Sequence, residues 1–130
     1  RCALLCHDVL RINDKLSGAS QDELVLLQYI EDNHDSKLIS RDSDSITISI
    51  NGQHEVYKIL KVFEFSSERK MMSVSVQRQG DGARWNFAKG ADMVIKQRLA
   101  KVNQEEVLLI DQLDSFASLG LRTLMYAMKQ

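Results

Sequence analysis

Cysteine and proline are scarce in this chain of 130 residues, which contains two cysteines and no proline. Cys2 and Cys6 lie four residues apart, a spacing that favours a reduced, cytosolic pair of buried thiols over a disulfide framework. His7 follows them, but the fourth ligand and the second cluster of a zinc site are missing from the sequence. No apolar run approaches the roughly 18–20 residues of a membrane span, and no signal peptide is visible.

Excess charge of either sign is absent too. The net charge of −1 gives no reason to expect nucleic acid or an anionic membrane surface as a partner. The apolar fraction of 44% and the charged fraction of 27% are ordinary for a soluble globular domain. A length of 130 residues is enough for one domain with its own core, so we expect residues 1–130 to form a single, monomeric domain. Because the first residue is Arg1 rather than Met, we expect this domain to be a fragment of a longer protein.

Several catalytic and ligand-binding motifs are also missing. The sequence contains no Gly-x-x-x-x-Gly-Lys loop, no Gly-x-Ser-x-Gly elbow and no zinc signature. The histidines at positions 7, 34 and 54 are scattered and lack the spacing of a catalytic triad. These absences favour a binding function over a self-contained hydrolase.

Helical patterns occur towards both ends of the chain. We expect a short helix over 2–10, a loop over 11–20, and a helix that starts at the capping-box sequence Ser20-Gln21-Asp22-Glu23 and ends near Asn33. Further helices are predicted over 91–101 and 104–119, with Gly120 ending the second. The residues expected on the buried helix faces are Leu24, Leu27 and Ile30, then Ala91, Val94, Ile95, Leu99 and Val102, and then Leu109, Ile110, Leu113, Phe116 and Ala117.

Alternating apolar and polar residues between these helices predict β-strands. We expect strands over 37–41 and 46–50, a hairpin turn at Asn51-Gly52, a long strand over about 55–65 and another from Met72. Gly80-Asp81-Gly82 turns into a strand at 84–87, and 121–128 returns as a last strand whose neighbour the pattern does not identify. Helices on both sides of a run of hairpin strands predict an α+β domain, a twisted antiparallel β-sheet flanked by helices.

Aromatic, hydroxyl and cationic residues are concentrated at the end of the long strand. An adenine nucleotide requires an aromatic face for its base and cations for its phosphates, and stacking of one base is worth about 1–3 kcal/mol. Phe65 is the stacking candidate, although a core position like that of Phe63 would explain it as well. Ser66 and Ser67 either bind the nucleotide or cap the strand end, and Lys70 is either a phosphate ligand or a solvated lysine.

Further candidates lie elsewhere in the chain. Lys89 and Gly90 stand where a strand ends and a helix begins, and the amides of a helix N-terminus suit an anion. Gly90 would let a ligand approach the backbone closely. Arg122, with Thr123 beside it, offers a planar fork of donors suited to phosphate, or else forms a surface salt bridge. Glu23 is either the reciprocal residue of the capping box or a carboxylate that accepts from a ligand.

Taken in order, these segments resemble one family. They are Cys2-Ala3-Leu4-Leu5-Cys6-His7, Gly18-Ala19-Ser20-Gln21-Asp22-Glu23, Phe65 to Val74, Lys89-Gly90-Ala91-Asp92 with Val94-Ile95 and Arg98-Leu99, and Gly120-Leu121-Arg122-Thr123-Leu124. The pattern resembles the nucleotide-binding (N) domain of P-type ATPases of the P4 class, the phospholipid flippases. Asp92 favours the flippase branch because a proline commonly follows Lys-Gly-Ala in the ion-pumping relatives. Gln21, where proline is usual, and Met71, within a usually basic run, depart from the pattern.

The resemblance implies a role for each candidate. It implies that the adenine of ATP stacks on Phe65, that Glu23 and Lys89 lie near the base, and that Lys70 and Arg122 manage the phosphate charge. It also implies Mg-ATP as the ligand in the intact pump, the phosphorylation and actuator domains of the same parent chain as partners, and a cytosolic domain of an integral membrane protein.

The family's catalytic residues are not in this chain. Its phosphorylated Asp-Lys-Thr-Gly-Thr motif and its acidic Mg²⁺-binding motif are both absent from the sequence. We therefore expect the chain to bind nucleotide without hydrolysing it, and to contain no catalytic residue and no metal site. The alternative is an α+β protein-interaction module, or a degenerate N domain, that binds no nucleotide and keeps Phe65 in its core.

Overall fold

An antiparallel sheet of six strands is the centre of the fold, with the strands side by side in chain order. The computed structural model describes residues 1–100 and 104–130, except for the side chains of 104–107. The elements are α1 (Cys2–Leu5), β1 (Leu10–Ile12), β2 (Lys15–Ser17), α2 (Gln21–Asn33), β3 (Ser36–Arg41), β4 (Ser45–Ile50), β5 (Gln53–Ser66), β6 (Met71–Arg78), β7 (Arg84–Gly90), α3 (Asp92–Lys96), α4 (Gln104–Ser118) and β8 (Met125–Lys129). Strands β3 to β8 form the main sheet, and β1 pairs with β2 in a separate hairpin.

Apolar side chains on both faces of the sheet pack against helices. The first cluster joins α1 and α2 to the alternate residues of β4 and β6, and includes Leu5, Leu27, Ile48 and Val74. Each of these is 0 or 1% exposed, and full burial of such a side chain stabilises the fold by about 1.5–3 kcal/mol. A smaller cluster on α3, α4 and the strand ends contains Met71, Ile95, Ile110 and Met125. The predicted α+β class, an antiparallel sheet flanked by helices, is confirmed.

Two hairpin turns follow the predicted chemistry. Asn51 and Gly52 have φ of 52° and 74°, which suits the two central residues of a type I′ turn between β4 and β5. Gly82 has φ of 71° in the turn between β6 and β7. Strands β4 and β5, which Asn51 and Gly52 connect, pair without irregularity from Ser45 opposite Lys58 to Ile50 opposite Gln53.

The predicted helix over 2–10 and loop over 11–20 are wrong in their bounds. Helix α1 ends at Leu5, and β1 and β2 form a hairpin within the supposed loop. Asn13 and Asp14 make its turn with φ of 48° and 62°, a conformation that short polar side chains tolerate. The guanidinium of Arg11 fixes the hairpin to the domain, because its Nε donates to the Leu38 carbonyl oxygen at 2.6 Å.

The C-terminal elements are shorter than the pattern predicted. Helix α3 ends at Lys96, and β8 begins at Met125 rather than at 121. Lys101 and Val102, also assigned to the α3 helix and its buried face, lie outside the described residues. Within the described residues, every helix is too short or too polar to cross a bilayer.

From Leu108 onward, the part of α4 whose side chains the structure describes, only a narrow stripe is buried. Ile110 is buried and Leu113 half-buried, whereas Leu109, Phe116 and Ala117, which were expected to face inward, are exposed. Among the α4 side chains from Leu108 onward, Ile110 and Leu113 are the ones that join the smaller core cluster, so helical periodicity overestimated the width of the contact there. Gly120 follows the helix with φ of 77°, the left-handed conformation predicted for a C-terminal stop.

Candidate functional site

Four of the residues singled out from the sequence meet at one edge of the sheet. Strands β5 and β7 are both antiparallel to β6, so their C-terminal ends lie at the same edge, where β8 begins. This places Phe65, Lys89 and Arg122 beside the first turn of α2, which carries Glu23. Together they line a cavity of about 340 Å³, called here the Phe65 cavity, whose full lining is Ser20, Asp22, Glu23, Leu26, Phe65, Lys89, Arg122 and Leu124. The volume lies in the range typical of small-molecule sites, roughly 300–1,000 Å³.

Phe65 is exposed at the mouth of the cavity. Its residue surface is 63% exposed, compared with 1% for the core residue Phe87. The pairing of β5 with β6 is irregular between Phe63 and Ser66, which changes the direction in which the strand presents its side chains. The interpretation of Phe65 as a core residue is therefore wrong for this structure.

Lys89 is buried and forms an ion pair with Glu23. It is 8% exposed, and its Nζ donates to Oε1 of Glu23. The other carboxylate oxygen of Glu23 accepts from the backbone N–H of Asp8 at 3.0 Å. A lysine is tolerated at this depth because a carboxylate compensates its charge. The pair therefore fixes the wall of the cavity between α2 and β7.

The capping box at the start of α2 is one-sided. The Ser20 Oγ accepts from the backbone N–H of Glu23 at 3.4 Å, as predicted for an N-cap. The Glu23 side chain, however, bonds to Lys89 and Asp8. The backbone N–H of Glu23 therefore takes part in the helix cap, whereas its carboxylate belongs to the cavity wall.

Arg122, which also lines the cavity, forms a very different ion pair. An Nη nitrogen of its guanidinium lies 2.9 Å from Oδ2 of Asp22, and the two side chains are 87% and 55% exposed. Exposed pairs of this kind contribute only about 0–1 kcal/mol to stability. Thr123 lies next to Arg122 in an adjoining cavity of about 310 Å³, which shares Asp22, Leu26, Arg122 and Leu124 with the Phe65 cavity.

Four other predicted site residues do not line the Phe65 cavity: Ser66, Ser67, Lys70 and Gly90. The Ser66 Oγ accepts from the backbone N–H of Arg69 at 3.1 Å, so it caps the turn between β5 and β6. Ser67 and Lys70 are exposed on that turn.

Gly90 is needed for a close approach between two segments of backbone. A Cβ at this position would lie 2.5 Å from the carbonyl oxygen of Lys70, a distance at which atoms overlap. The same carbonyl accepts from the backbone N–H of Ala91 at 3.0 Å. The sequence predicted that Gly90 lets a ligand approach its backbone; in this structure the group that lies against Gly90 is the backbone of the β5–β6 turn.

Sequence reasoning missed four contributors to the cavity: Ser20, Asp22, Leu26 and Leu124. Ser20 and Asp22 were noted only as parts of the capping sequence and the family motif, and not as site residues. Residues three and four apart on a helix share a face, so Leu26 could have been found from its spacing to Asp22 and Glu23.

Next to the ion pair, α1 and the two residues that follow it supply groups that remain neutral at physiological pH. Burial raises the pKa of the Cys2 thiol to about 12 and that of the Cys6 thiol to about 11. Burial, reinforced by the charge of Arg41, lowers the pKa of His7 to about 4. Both cysteines are free thiols, which agrees with their interpretation as structural residues.

Comparison with known proteins identifies the family to which this chain is similar. The model of the P-type ATPase cytoplasmic domain N matches residues 1–130. A phospholipid-transporting ATPase of Schizosaccharomyces pombe is 37% identical over 97% of this chain. Phospholipid-transporting ATPase IC is 36% identical over 97% of the chain in Mus musculus and 40% identical over 92% in Xenopus tropicalis.

The chain spans about 10% of the length of each of these relatives. The match covers all the elements described above, including those that form the Phe65 cavity. This chain therefore belongs to the family of P-type ATPase cytoplasmic N domains, and it is similar over nearly its whole length to the phospholipid-transporting members.

Proposed function

We propose that this chain is a nucleotide-binding domain that holds ATP in the Phe65 cavity. The observation that carries the proposal is the convergence of Phe65, Glu23, Lys89 and Arg122, from four separate segments, on one cavity. An exposed aromatic ring, a carboxylate and cations are the groups that a purine base and its phosphates require.

The base and the phosphates would occupy different parts of the site. Phe65 offers the stacking face, and the Glu23 carboxylate and Lys89 ammonium lie at the inner wall, where they can address the polar edge of adenine. Arg122 and Thr123 lie towards the adjoining cavity and are the candidates for the phosphates. Lys70, Ser66 and Ser67 would act only from the rim, and Gly90 through the shape of the turn.

In its parent protein the domain would position ATP for chemistry carried out elsewhere. We infer a single domain over residues 1–130, part of a phospholipid-transporting membrane pump, which presents the γ-phosphate to an aspartate on a separate phosphorylation domain. Positioning of this kind lowers the entropic part of the barrier, while Mg²⁺ and the nucleophile manage the developing charge. The actuator and phosphorylation domains of the same chain would be its partners.

Titration with ATP, followed by amide NMR, tests the proposal. One stacking contact and a few exposed cations supply about 3–5 kcal/mol, so we expect a dissociation constant on the order of 0.1–10 mM. The shifted amides should cluster at the ends of β5 and β7 and at the start of α2. An affinity tighter than about 1 μM would contradict this model of an open site.

Two phenylalanine variants provide the matched comparison. Phe65→Ala should weaken ATP binding about 5–100-fold with little loss of structure, because the ring is mostly exposed. Phe63→Ala is the control, since Phe63 lies two residues away on the same strand but lines a different cavity. Equal loss of affinity in both variants, or no ATP binding by the wild-type chain, would favour the protein-interaction module or degenerate N domain.

A further inference from the structure

Two neighbouring carboxylates in the first turn of α2 each hold one cation of the Phe65 cavity. Asp22 pairs with Arg122 at 2.9 Å, and Glu23 pairs with Lys89. The surroundings of the two pairs are opposite. The Glu23 and Lys89 side chains are 13% and 9% exposed, whereas those of Asp22 and Arg122 are 55% and 87% exposed.

This difference decides which pair a negatively charged ligand can open. Separating Glu23 from Lys89 would leave a buried charge without its partner, which is strongly unfavourable. Separating Asp22 from Arg122 costs little, because water solvates both groups as they part. An incoming phosphate group can therefore compete for Arg122 but not for Lys89.

We propose that Asp22 is a specificity-determining residue that competes with phosphate groups for Arg122, an inference that rests on the proposed function. It lowers the affinity for phosphates in two ways: it occupies the guanidinium, and its own charge repels a phosphate that binds there. The phosphate tail then adds little net affinity, and the site discriminates mainly by the base on Phe65.

Removal of the Asp22 charge should strengthen binding in proportion to the charge of the ligand. For Asp22→Asn we expect no change for adenosine, about a twofold gain for AMP and about a fivefold gain for ATP at low salt, the scale of one exposed charge pair. The gain should fall below about twofold at 0.5 M salt, because exposed charges are then screened.

The control variant is Asp32→Asn, on the same helix and with the same change in net charge. Asp32 lies ten residues further along α2, about 15 Å away, and its Oδ1 accepts from Gln28 at 2.9 Å. It should bind all three ligands as the wild type does. A gain equal to that of Asp22→Asn would show that only net charge matters and would overturn the proposal.

A double-mutant cycle with Arg122→Gln tests the coupling directly. The effect of Asp22→Asn on ATP affinity should be clearly smaller when Arg122 is absent, provided that thermal unfolding shows all variants to be folded. An unchanged effect in the Arg122→Gln background, or an equal gain for adenosine and ATP, refutes competition at Arg122. If Asp22→Asn does not fold, Asp22→Ser provides the same charge removal.

Titration with inorganic tripolyphosphate separates this inference from the proposed function. If no adenine nucleotide binds but tripolyphosphate binds Asp22→Asn more tightly than wild type, the nucleotide assignment fails while the competition stands. If nucleotides bind the wild type and Asp22→Asn brings no gain for ATP or tripolyphosphate, the competition fails while the nucleotide assignment stands.

Discussion

His7 should make the stability of this domain depend on pH in a window that can be calculated. The ring is 1% exposed, its Nε2 lies 3.0 Å from the Leu4 carbonyl oxygen, and its Nδ1 accepts from the Val9 N–H at 2.9 Å. A neutral imidazole satisfies both bonds, since one ring nitrogen donates and the other accepts. Protonation would remove the acceptor and place a cation 3.5 Å from the Arg41 guanidinium.

The magnitude follows from the two pKa values. Burial first, and then Arg41, lower the pKa of His7 from 6.5 to about 4 in the folded protein. A difference of about 2.5 in pKa corresponds to about 3 kcal/mol of unfolding free energy. Between pH 6.5 and 4 the unfolded chain binds the proton and the folded chain does not. This contribution is therefore complete above pH 6.5 and is lost progressively as the pH falls towards 4.

Urea denaturation at pH 7.5 and pH 4.5 measures the effect. Wild type should lose about 2–3 kcal/mol more than His7→Gln between these values, because carboxylate titration is common to both. His54→Gln, at an exposed histidine on β5, is the control and should behave as wild type. Parallel stability curves for wild type and His7→Gln, or an NMR titration that places the His7 pKa near 6.5, would refute the reasoning.

Three further outcomes are expected. Glu23→Gln and Lys89→Met should each lower the unfolding free energy, measured by chemical denaturation, by about 3 kcal/mol. The double variant Glu23→Leu/Lys89→Met should regain part of this stability, because it leaves neither charge buried without a partner. A double variant that loses the sum of the two single losses would argue against a coupled buried pair. AMP, ADP and ATP should bind within about tenfold of one another by calorimetry, and binding of tripolyphosphate as tight as that of ATP would contradict recognition led by the base. The isolated chain should show no ATPase activity and form no acid-stable phosphoenzyme, since phosphoryl transfer needs an in-line nucleophile and a metal; label from the γ-phosphate recovered on any of its aspartates would disprove this.

Local patterns determined strands β4 and β5 of the main sheet. The alternation of Ile46, Ile48 and Ile50 and the turn at Asn51-Gly52 depend only on neighbouring residues, so strands β4 and β5 were found where the structure has them. The same holds for α2, whose start at Ser20 is marked by its own cap. The hairpin at Asn13-Asp14 was equally local, but its two short strands lacked a strong alternation and were missed.

Tertiary structure alone decided which side chains meet where β5 and β7 end. The residue types of Phe65, Lys89 and Arg122 suggested a nucleotide site, but only the order of β5 to β8 brings them to one edge. The irregularity in the pairing of β5 with β6 decides on which face of the sheet Phe65 lies, and the depth of Lys89 depends on packing against α2. Burial is a property of the whole fold. One carboxylate of the α2 first turn therefore holds a buried lysine, while its neighbour Asp22 holds an arginine in solvent, although the sequence places them side by side.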